Sequence, residues 1–128
     1  MAWRHYGGNK YGNHKVTVDG ITFDSKREAT RYLELKTLEK TGKISLLERQ
    51  KKFVLIPAQY EPDIIGPRGG KKKGKLLEHE CAYVADFVYY DEEAKEIVIE
   101  DTKGVRTPDY IIKRKLLLWL RGYQIREV

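Results

Sequence analysis

The sequence has very little cysteine and no long apolar run, and each shortage excludes a class of protein. Cys81 is the only cysteine among 128 residues, which excludes an internal disulfide and a cysteine-based zinc cluster. The longest apolar run, residues 116–120, is far shorter than the roughly 20 residues of a membrane span, and the N-terminus has no apolar signal segment. We therefore expect a soluble cytoplasmic protein that has no membrane-spanning segment.

Acidic residues are also in the minority, with 19 Asp and Glu against 25 Lys and Arg and a net charge of +6. This excess favours a polyanionic partner, either nucleic acid or an anionic membrane. The length suits one hydrophobic core, so we predict a single domain over residues 15–128. Residues 1–14 alternate rings with cations such as Arg4 and Lys10, which is typical of a nucleic-acid-binding arm and also of an untidy terminus.

Turn and capping signals divide the chain into strands and helices. Asp19-Gly20 predicts an N-terminal hairpin over residues 15–23, and Ser25 predicts the start of a helix that ends near Gly42. Thr107-Pro108 predicts a second helix that runs to Gly122. Further strands are predicted over residues 44–47, 53–58, 81–90, 97–103 and 123–128. The order favours an α/β (α+β) fold with a central mixed sheet flanked by helices.

Two surfaces of this predicted fold carry cations. Residues 66–75 hold five cations and no acid, so we predict a mobile Lys- and Gly-rich loop over residues 62–80 that either is merely solvated or contacts phosphates. The second helix has an apolar stripe that we expect to face the core, with a basic side left over. The stripe comprises Ile112, Leu116, Trp119 and Leu120, and the candidate phosphate contacts are Arg68, Lys71, Lys72, Lys73, Lys75 and Lys113.

The strand that begins at Ile97 runs from apolar residues directly into charges. Ile97-Val98-Ile99 is typical of a strand buried on both faces, and Glu100, Asp101 and Lys103 follow it. Because side chains alternate along a strand, Asp101 and Lys103 share one face and Glu100 lies on the other. The pattern fits either a solvated strand end or a site.

Asp86 interrupts the apolar strand over residues 81–90, so its carboxylate needs a cationic partner: a lysine, an arginine or a metal ion. A turn centred between residues 93 and 94 would pair Tyr90 with Ile97 and place Asp86 opposite Asp101. Opposed residues have Cβ atoms about 5 Å apart, where a divalent metal ion would relieve the repulsion between two carboxylates. A slip of one residue would make Glu100 the ligand instead.

One helix residue and two strand motifs together carry a resemblance to a known family. They are Glu28, Ala85-Asp86-Phe87 and Asp101-Thr102-Lys103. The arrangement resembles the PD-(D/E)XK nuclease superfamily, and residues 11–13, 23–28 and 100–104 resemble a small phage-encoded branch associated with Holliday-junction resolution. The chain departs from the nominal motif at Ala85, where the motif has proline. Glu28 also fits a capping box with Ser25, so it is either a cap or a ligand.

The resemblance implies a restriction-endonuclease-like core and metal-dependent hydrolysis of DNA. It implies that Asp86, Asp101 and the Thr102 carbonyl hold Mg²⁺, with Mn²⁺ as a substitute, that Glu28 completes the site, and that Lys103 assists the nucleophile. It further implies a homodimer that cuts branched DNA in the cytoplasm of a host cell. The alternatives are a sequence-specific or nicking nuclease of the same superfamily and a non-catalytic nucleic-acid-binding module.

Overall fold

The structure is a computed structural model that describes residues 14–128. Within that range it has an α+β architecture: two helices, a mixed four-stranded sheet and three small two-stranded pairings. The elements in order are β1 Val16–Val18, β2 Ile21–Phe23, α1 Lys26–Lys40, β3 Ile44–Ile56, β4 Gln59–Tyr60, β5 Ile64–Ile65, β6 Lys71–Lys72, β7 Leu76–Glu78, β8 Cys81–Asp91, β9 Glu96–Asp101, α2 Pro108–Arg121 and β10 Ile125–Glu127. In this part of the chain no helix is long and apolar enough to cross a membrane. The predicted arm, with Arg4 and Lys10, lies outside the described residues except for His14.

The local signals for the first hairpin and for both helices are confirmed. Asp19 and Gly20 have φ angles of 52° and 74°, as the tight turn between β1 and β2 requires. The Ser25 side chain caps α1, and Thr107 caps α2 directly before its first-turn proline. Gly122, at φ 70°, ends α2 in the left-handed conformation.

The central sheet has the strand order β10-β9-β8-β3, with β10 parallel to β9 and the other pairs antiparallel. The predicted pair of Tyr90 with Ile97 is confirmed, and the ladder continues as far as the pair of Phe87 with Glu100, where it ends. Asp86 and Asp101 directly adjoin this last pair along their strands. The end of β9 therefore lies beside the middle of β8.

The two helices cover opposite faces of this sheet. On β9, Val98 packs in the apolar cluster beneath α1, and the next residue, Ile99, packs in the cluster beneath α2. Ile97 is exposed, so burial on both faces begins one residue later than predicted and then continues from Val98 to Asp101.

The side chains of β8 do not alternate strictly between the two faces of the sheet. Its residues Tyr83 and Ala85 belong to the α2 cluster, whereas Phe87 and Tyr89 belong to the α1 cluster. The change of face occurs next to Asp86, at the point where the candidate site begins.

Two predicted strands are in fact one, which corrects the division at residues 48–52. β3 runs unbroken from Ile44 to Ile56, with a register shift against β8 between Ser45 and Glu48. The polar residues do not break it because β3 lies at the edge of the four-stranded sheet, where long charged side chains can remain in solvent. Gln50 has a φ of 51°, so the strand bends locally at that residue.

Residues 62–80, which we predicted to form a mobile loop, contain short paired strands. This segment continues from β4 into a two-tiered hairpin, which we call the ribbon (residues 59–78): β4 pairs with β7, and β5 pairs with β6 beyond it. A β-turn with Pro67 at its second position closes the tip, and the Gly69 N–H donates to the Gly66 carbonyl at 3.0 Å. Backbone pairing of this kind requires no apolar core, which is why composition did not reveal it.

The prediction that the apolar stripe of α2 faces the core is wrong for three of its four residues, since only Leu116 of the four packs against the core. Tyr110 and Leu117 are the buried residues of this helix, while Trp119 is 86% exposed and both Ile112 and Leu120 are at least half exposed. The helix carries apolar residues on two sides, and its periodicity alone does not reveal which side the sheet covers.

Candidate active site

Asp101 and Lys103 lie together where β9 ends. The Lys103 Nζ is 3.4 Å from the Asp101 Oδ1, and it also lies 4.3 Å from the centre of the Tyr110 ring. The Tyr83 hydroxyl donates to the other Asp101 oxygen at 2.5 Å. Asp101 is almost fully buried. Tyr83 holds its carboxylate, and the Tyr110 ring and Asp101 hold the ammonium of Lys103.

Asp86 is held against the residue that follows Asp101. Its Oδ2 accepts hydrogen bonds from the Thr102 N–H at 2.8 Å and from the Thr102 hydroxyl at 2.7 Å. Its Oδ1 lies 3.4 Å from the Gln50 side-chain nitrogen. The Thr102 contacts tie the residue after β9 to the middle of β8, so both aspartates lie in the region where β9 ends.

Glu28, on α1, lies near Asp86. The Ser25 side chain accepts from the Glu28 N–H at 3.1 Å, but the Glu28 carboxylate does not complete a capping box. Its Oε1 instead lies 3.3 Å from the same Gln50 nitrogen that contacts Asp86 and 3.9 Å from an Arg49 nitrogen. Gln50 therefore bridges Glu28 and Asp86.

Burial and mutual repulsion raise the pKa values of two of these acids. Burial raises the pKa of Glu28 to about 7, with the charges of Asp86, Asp24 and Asp101 adding to it and Arg49 opposing it. Burial raises the pKa of Asp101 to about 6; the Tyr83 hydrogen bond and Lys103 oppose that rise, and the charge of Asp86 adds to it. A cation among these carboxylates would stabilise their charged forms.

Among residues 14–128, no three acidic, histidine or cysteine side chains lie close enough to hold one metal ion. The carboxylates of Asp86 and Asp101 are the oxygen groups that could hold a cation here, and the resemblance adds the Thr102 carbonyl to them. This set is of the hard type that Mg²⁺ and Mn²⁺ accept, with water filling the other positions. The charges of both aspartates raise the pKa of Glu28, but the three carboxylates do not lie close enough to share one ion.

Replacing Glu28 with Gln should stabilise the protein at alkaline pH. A raised carboxyl pKa contributes stability that is fully present below the ordinary value of 4.5 and is lost as pH rises through about 7. We expect the gain in unfolding free energy to grow from near zero at pH 4 to roughly 1–3 kcal/mol at pH 8. Urea unfolding across this range measures it.

The matched control is Glu96→Gln, which neutralises an exposed acid at the start of β9. It should change the unfolding free energy by less than about 0.5 kcal/mol at every pH. Equal and pH-independent effects of the two substitutions would show that Glu28 does not carry the buried charge described above.

Glu100 lies on the other face of β9, away from the two aspartates. It is fully buried, and its two oxygens accept from the Arg31 guanidinium at 2.8 and 2.7 Å. The Tyr89 hydroxyl also donates to it. The structure therefore brings Asp101, and not Glu100, together with Asp86 and Lys103.

The predicted DNA contacts lie outside this cluster. Five of them, Arg68, Lys71, Lys72, Lys73 and Lys75, are exposed on the ribbon, and Lys113 is half-buried on α2. Lys73 lies over the Tyr60 ring, with its Nζ 3.9 Å from the ring centre.

Sequence reasoning missed the neighbours that hold the site. Tyr83 and Tyr110 have the pattern of core residues, and their positions beside Asp101 and Lys103 depend on how β8 and α2 pack. Gln50 stands in a polar run that was predicted to separate two strands, and nothing in the sequence signals its left-handed backbone. Arg27 donates to the Lys103 carbonyl at 3.4 Å, which its place in the first turn of α1 did not indicate.

Comparison with known proteins gives a match to one family. A family model described as "Protein of unknown function (DUF1064)" matches residues 8–126. The comparisons with curated proteins and with solved structures gave no match.

Proposed function

The chain belongs to the DUF1064 family, whose function is unknown, and we propose from its own residues that it is a metal-dependent, structure-selective DNA endonuclease. The proposal includes the PD-(D/E)XK superfamily, a restriction-endonuclease-like core and branched DNA, such as a Holliday junction, as substrate. The observation that carries it is the placement of Lys103 beside Asp101, with Asp86 bonded to the intervening Thr102. A structural ion pair between Lys103 and Asp101 would not require the second carboxylate, Asp86, beside it.

The residues present fit a hard divalent cation. Two carboxylates and a carbonyl would supply oxygen ligands, and a bound cation would counter the burial and the neighbouring negative charges that raise the pKa values of Glu28 and Asp101. Mg²⁺, or Mn²⁺ in its place, would offset charge on the scissile phosphate and lower the pKa of water there. Asp86 and Asp101 would hold the ion, with the Thr102 carbonyl as a further ligand; Glu28 would complete the site by moving towards it, because the three carboxylates do not lie close enough to share one ion.

The chain's own side chains have distinct tasks in this proposal. Lys103 presents a positive charge that orients the attacking water or stabilises the charge that develops on the phosphorus-bound oxygens. Tyr83 fixes Asp101 by its hydrogen bond, and burial keeps the Tyr83 pKa above its ordinary value, so the hydroxyl remains a donor. Thr102 fixes Asp86 with two hydrogen bonds.

Symmetric cutting of a four-way junction requires two sites, and we propose a homodimer for this purpose. The exposed apolar face of α2, with Ile112, Trp119 and Leu120, is where we place the contact between the two copies. An apolar face suits a protein partner better than a phosphate backbone, which the cations of the ribbon suit better.

The function is tested by incubating the protein with a synthetic four-way junction and a linear duplex of matched sequence, with Mg²⁺ and with EDTA. We expect junction cleavage that depends on Mg²⁺ and leaves 5′-phosphate and 3′-hydroxyl ends, and no such cleavage by Asp101→Asn. Equal cutting of both DNAs would favour a sequence-specific or nicking nuclease. Binding without any cleavage would favour a non-catalytic module. Light scattering of the same sample reports whether it is a dimer.

A further inference from the structure

The outer part of the ribbon combines cations with exposed apolar side chains. Ile64 is 59% exposed and Ile65 is 73% exposed, although both lie in a strand. Between residues 64 and 75 the chain carries five cations and no acid. Single exposed apolar residues are ordinary, but two adjacent ones amid cations make a mixed surface that suits a particular kind of partner.

The pairing of β5 with β6 distributes these residues over both faces of the ribbon. Ile64 is opposite Lys72, and Ile65 is opposite Lys71. Because directly opposed residues point to the same side, each face presents one isoleucine and one lysine. Neither face is covered by the rest of the described chain, so these isoleucines do not serve a core.

The base of the ribbon is closely packed, so the tip is presented on a defined stem. Gly74 is buried, and a Cβ there would lie 2.0 Å from the Glu61 carbonyl oxygen. The Glu61 N–H donates to the Lys75 carbonyl at 2.8 Å, and Asp63 accepts from the Gly74 N–H at 3.4 Å. The nearby acids are thus at the base, and the tip keeps its uncompensated positive charge.

We infer that the ribbon tip inserts Ile64 and Ile65 against unstacked bases of branched DNA while Lys71, Lys72 and Arg68 contact the flanking phosphates. A two-stranded ribbon is narrow enough to enter a groove, and apolar side chains flanked by cations are what proteins insert between base steps. A junction already exposes bases at its centre, so the cost of unstacking is lower there than in duplex. This inference rests on the proposed function and names the part of the chain that selects its substrate.

The test compares Ile64→Thr/Ile65→Thr with Lys71→Ala/Lys72→Ala in EDTA, by anisotropy of a labelled four-way junction and a matched duplex. Threonine keeps the branched Cβ of a strand residue and removes apolar surface. We expect the threonine variant to bind the junction about tenfold more weakly, with duplex binding unchanged. The alanine variant should weaken binding to both DNAs and reduce the salt slope by about 2.

A second readout reports unstacking directly. A 2-aminopurine base at the junction centre should brighten when the wild-type protein binds and should not brighten with the threonine variant. Leu33→Ala, which trims an exposed apolar residue on α1, is the matched control and should behave as the wild type. Thermal melting confirms that all variants are folded.

The outcomes separate this inference from the proposed function. Equal losses on junction and duplex with the threonine variant, or no loss on either, would overturn the inference even if the wild type cuts DNA. Binding of the wild type to phosphatidylserine vesicles in place of DNA would overturn it as well. Isoleucine-dependent junction binding without Mg²⁺-dependent cleavage would support the inference and refute the proposed function.

Discussion

Lys103→Ala is expected to reduce Mg²⁺-dependent DNA cleavage by about 10²- to 10³-fold, the usual cost of removing one charge-stabilising group. The Lys103 ammonium is held between Asp101 and the Tyr110 ring, and the Tyr110 hydroxyl donates to Glu127 at 2.8 Å, which fixes the ring. The charge is therefore presented at a set position. Single-turnover cleavage of a labelled junction measures the rate, and anisotropy in EDTA measures DNA binding.

DNA binding by Lys103→Ala should stay within about threefold of the wild type, because one phosphate contact among many contributes little to affinity. Lys43→Ala, which removes an exposed lysine between α1 and β3, should leave both quantities unchanged. Equal losses of cleavage and binding by Lys103→Ala would mean that Lys103 binds DNA and has no separate role in the reaction.

The meeting of Asp86 and Asp101 was predictable because a short connection fixes the register of a hairpin. Counting from the turn paired Tyr90 with Ile97, and the structure has that pair. The position of Glu28 near Asp86 was harder to predict, because it depends on the packing of α1 on the sheet through Tyr32 and Leu35. Its helix position was readable from the Ser25 cap, but its distance from Asp86 was not.

Features that depend on contacts between residues far apart in the chain could not be predicted from the sequence. The side of α2 that is buried depends on how Tyr110 and Leu117 pack against the sheet. The helix sequence alone has apolar residues on two sides. The bend at Gln50 depends on the pairing of β3 with β8, and no glycine marks it. The ribbon forms through backbone hydrogen bonds in a segment whose composition resembles a loop.

The choice between Asp101 and Glu100 depends on a partner that is far away in sequence. Arg31, on α1, donates two hydrogen bonds to Glu100, and these bonds raise the pKa of the guanidinium above its ordinary value. The sequence shows that one of two adjacent acids faces each side of β9. Only the packing of α1 on that face shows that Glu100 has a cationic partner there.

Arg31→Met should therefore lower the free energy of unfolding by roughly 2–4 kcal/mol, because it leaves the Glu100 carboxylate buried without its partner. The lower part of the range allows for the side chain of Arg31, which is 24% exposed and can be partly replaced by water. Urea unfolding at neutral pH measures the change. Glu34→Gln, which removes only the exposed partner of Arg31, should cost less than about 0.5 kcal/mol.

The double substitution Arg31→Met/Glu100→Met should recover most of this loss, since an apolar pair of similar volume replaces the ion pair. The Tyr89 hydroxyl then lacks its acceptor, so the double variant is best compared in a Tyr89→Phe background. If Arg31→Met costs no more than Glu34→Gln, the buried ion pair does not hold Glu100 as described. Cleavage provides the decisive comparison: a folded Glu100→Gln protein should still cut DNA with Mg²⁺ and Asp101→Asn should not, whereas the reverse result would assign the metal to Glu100.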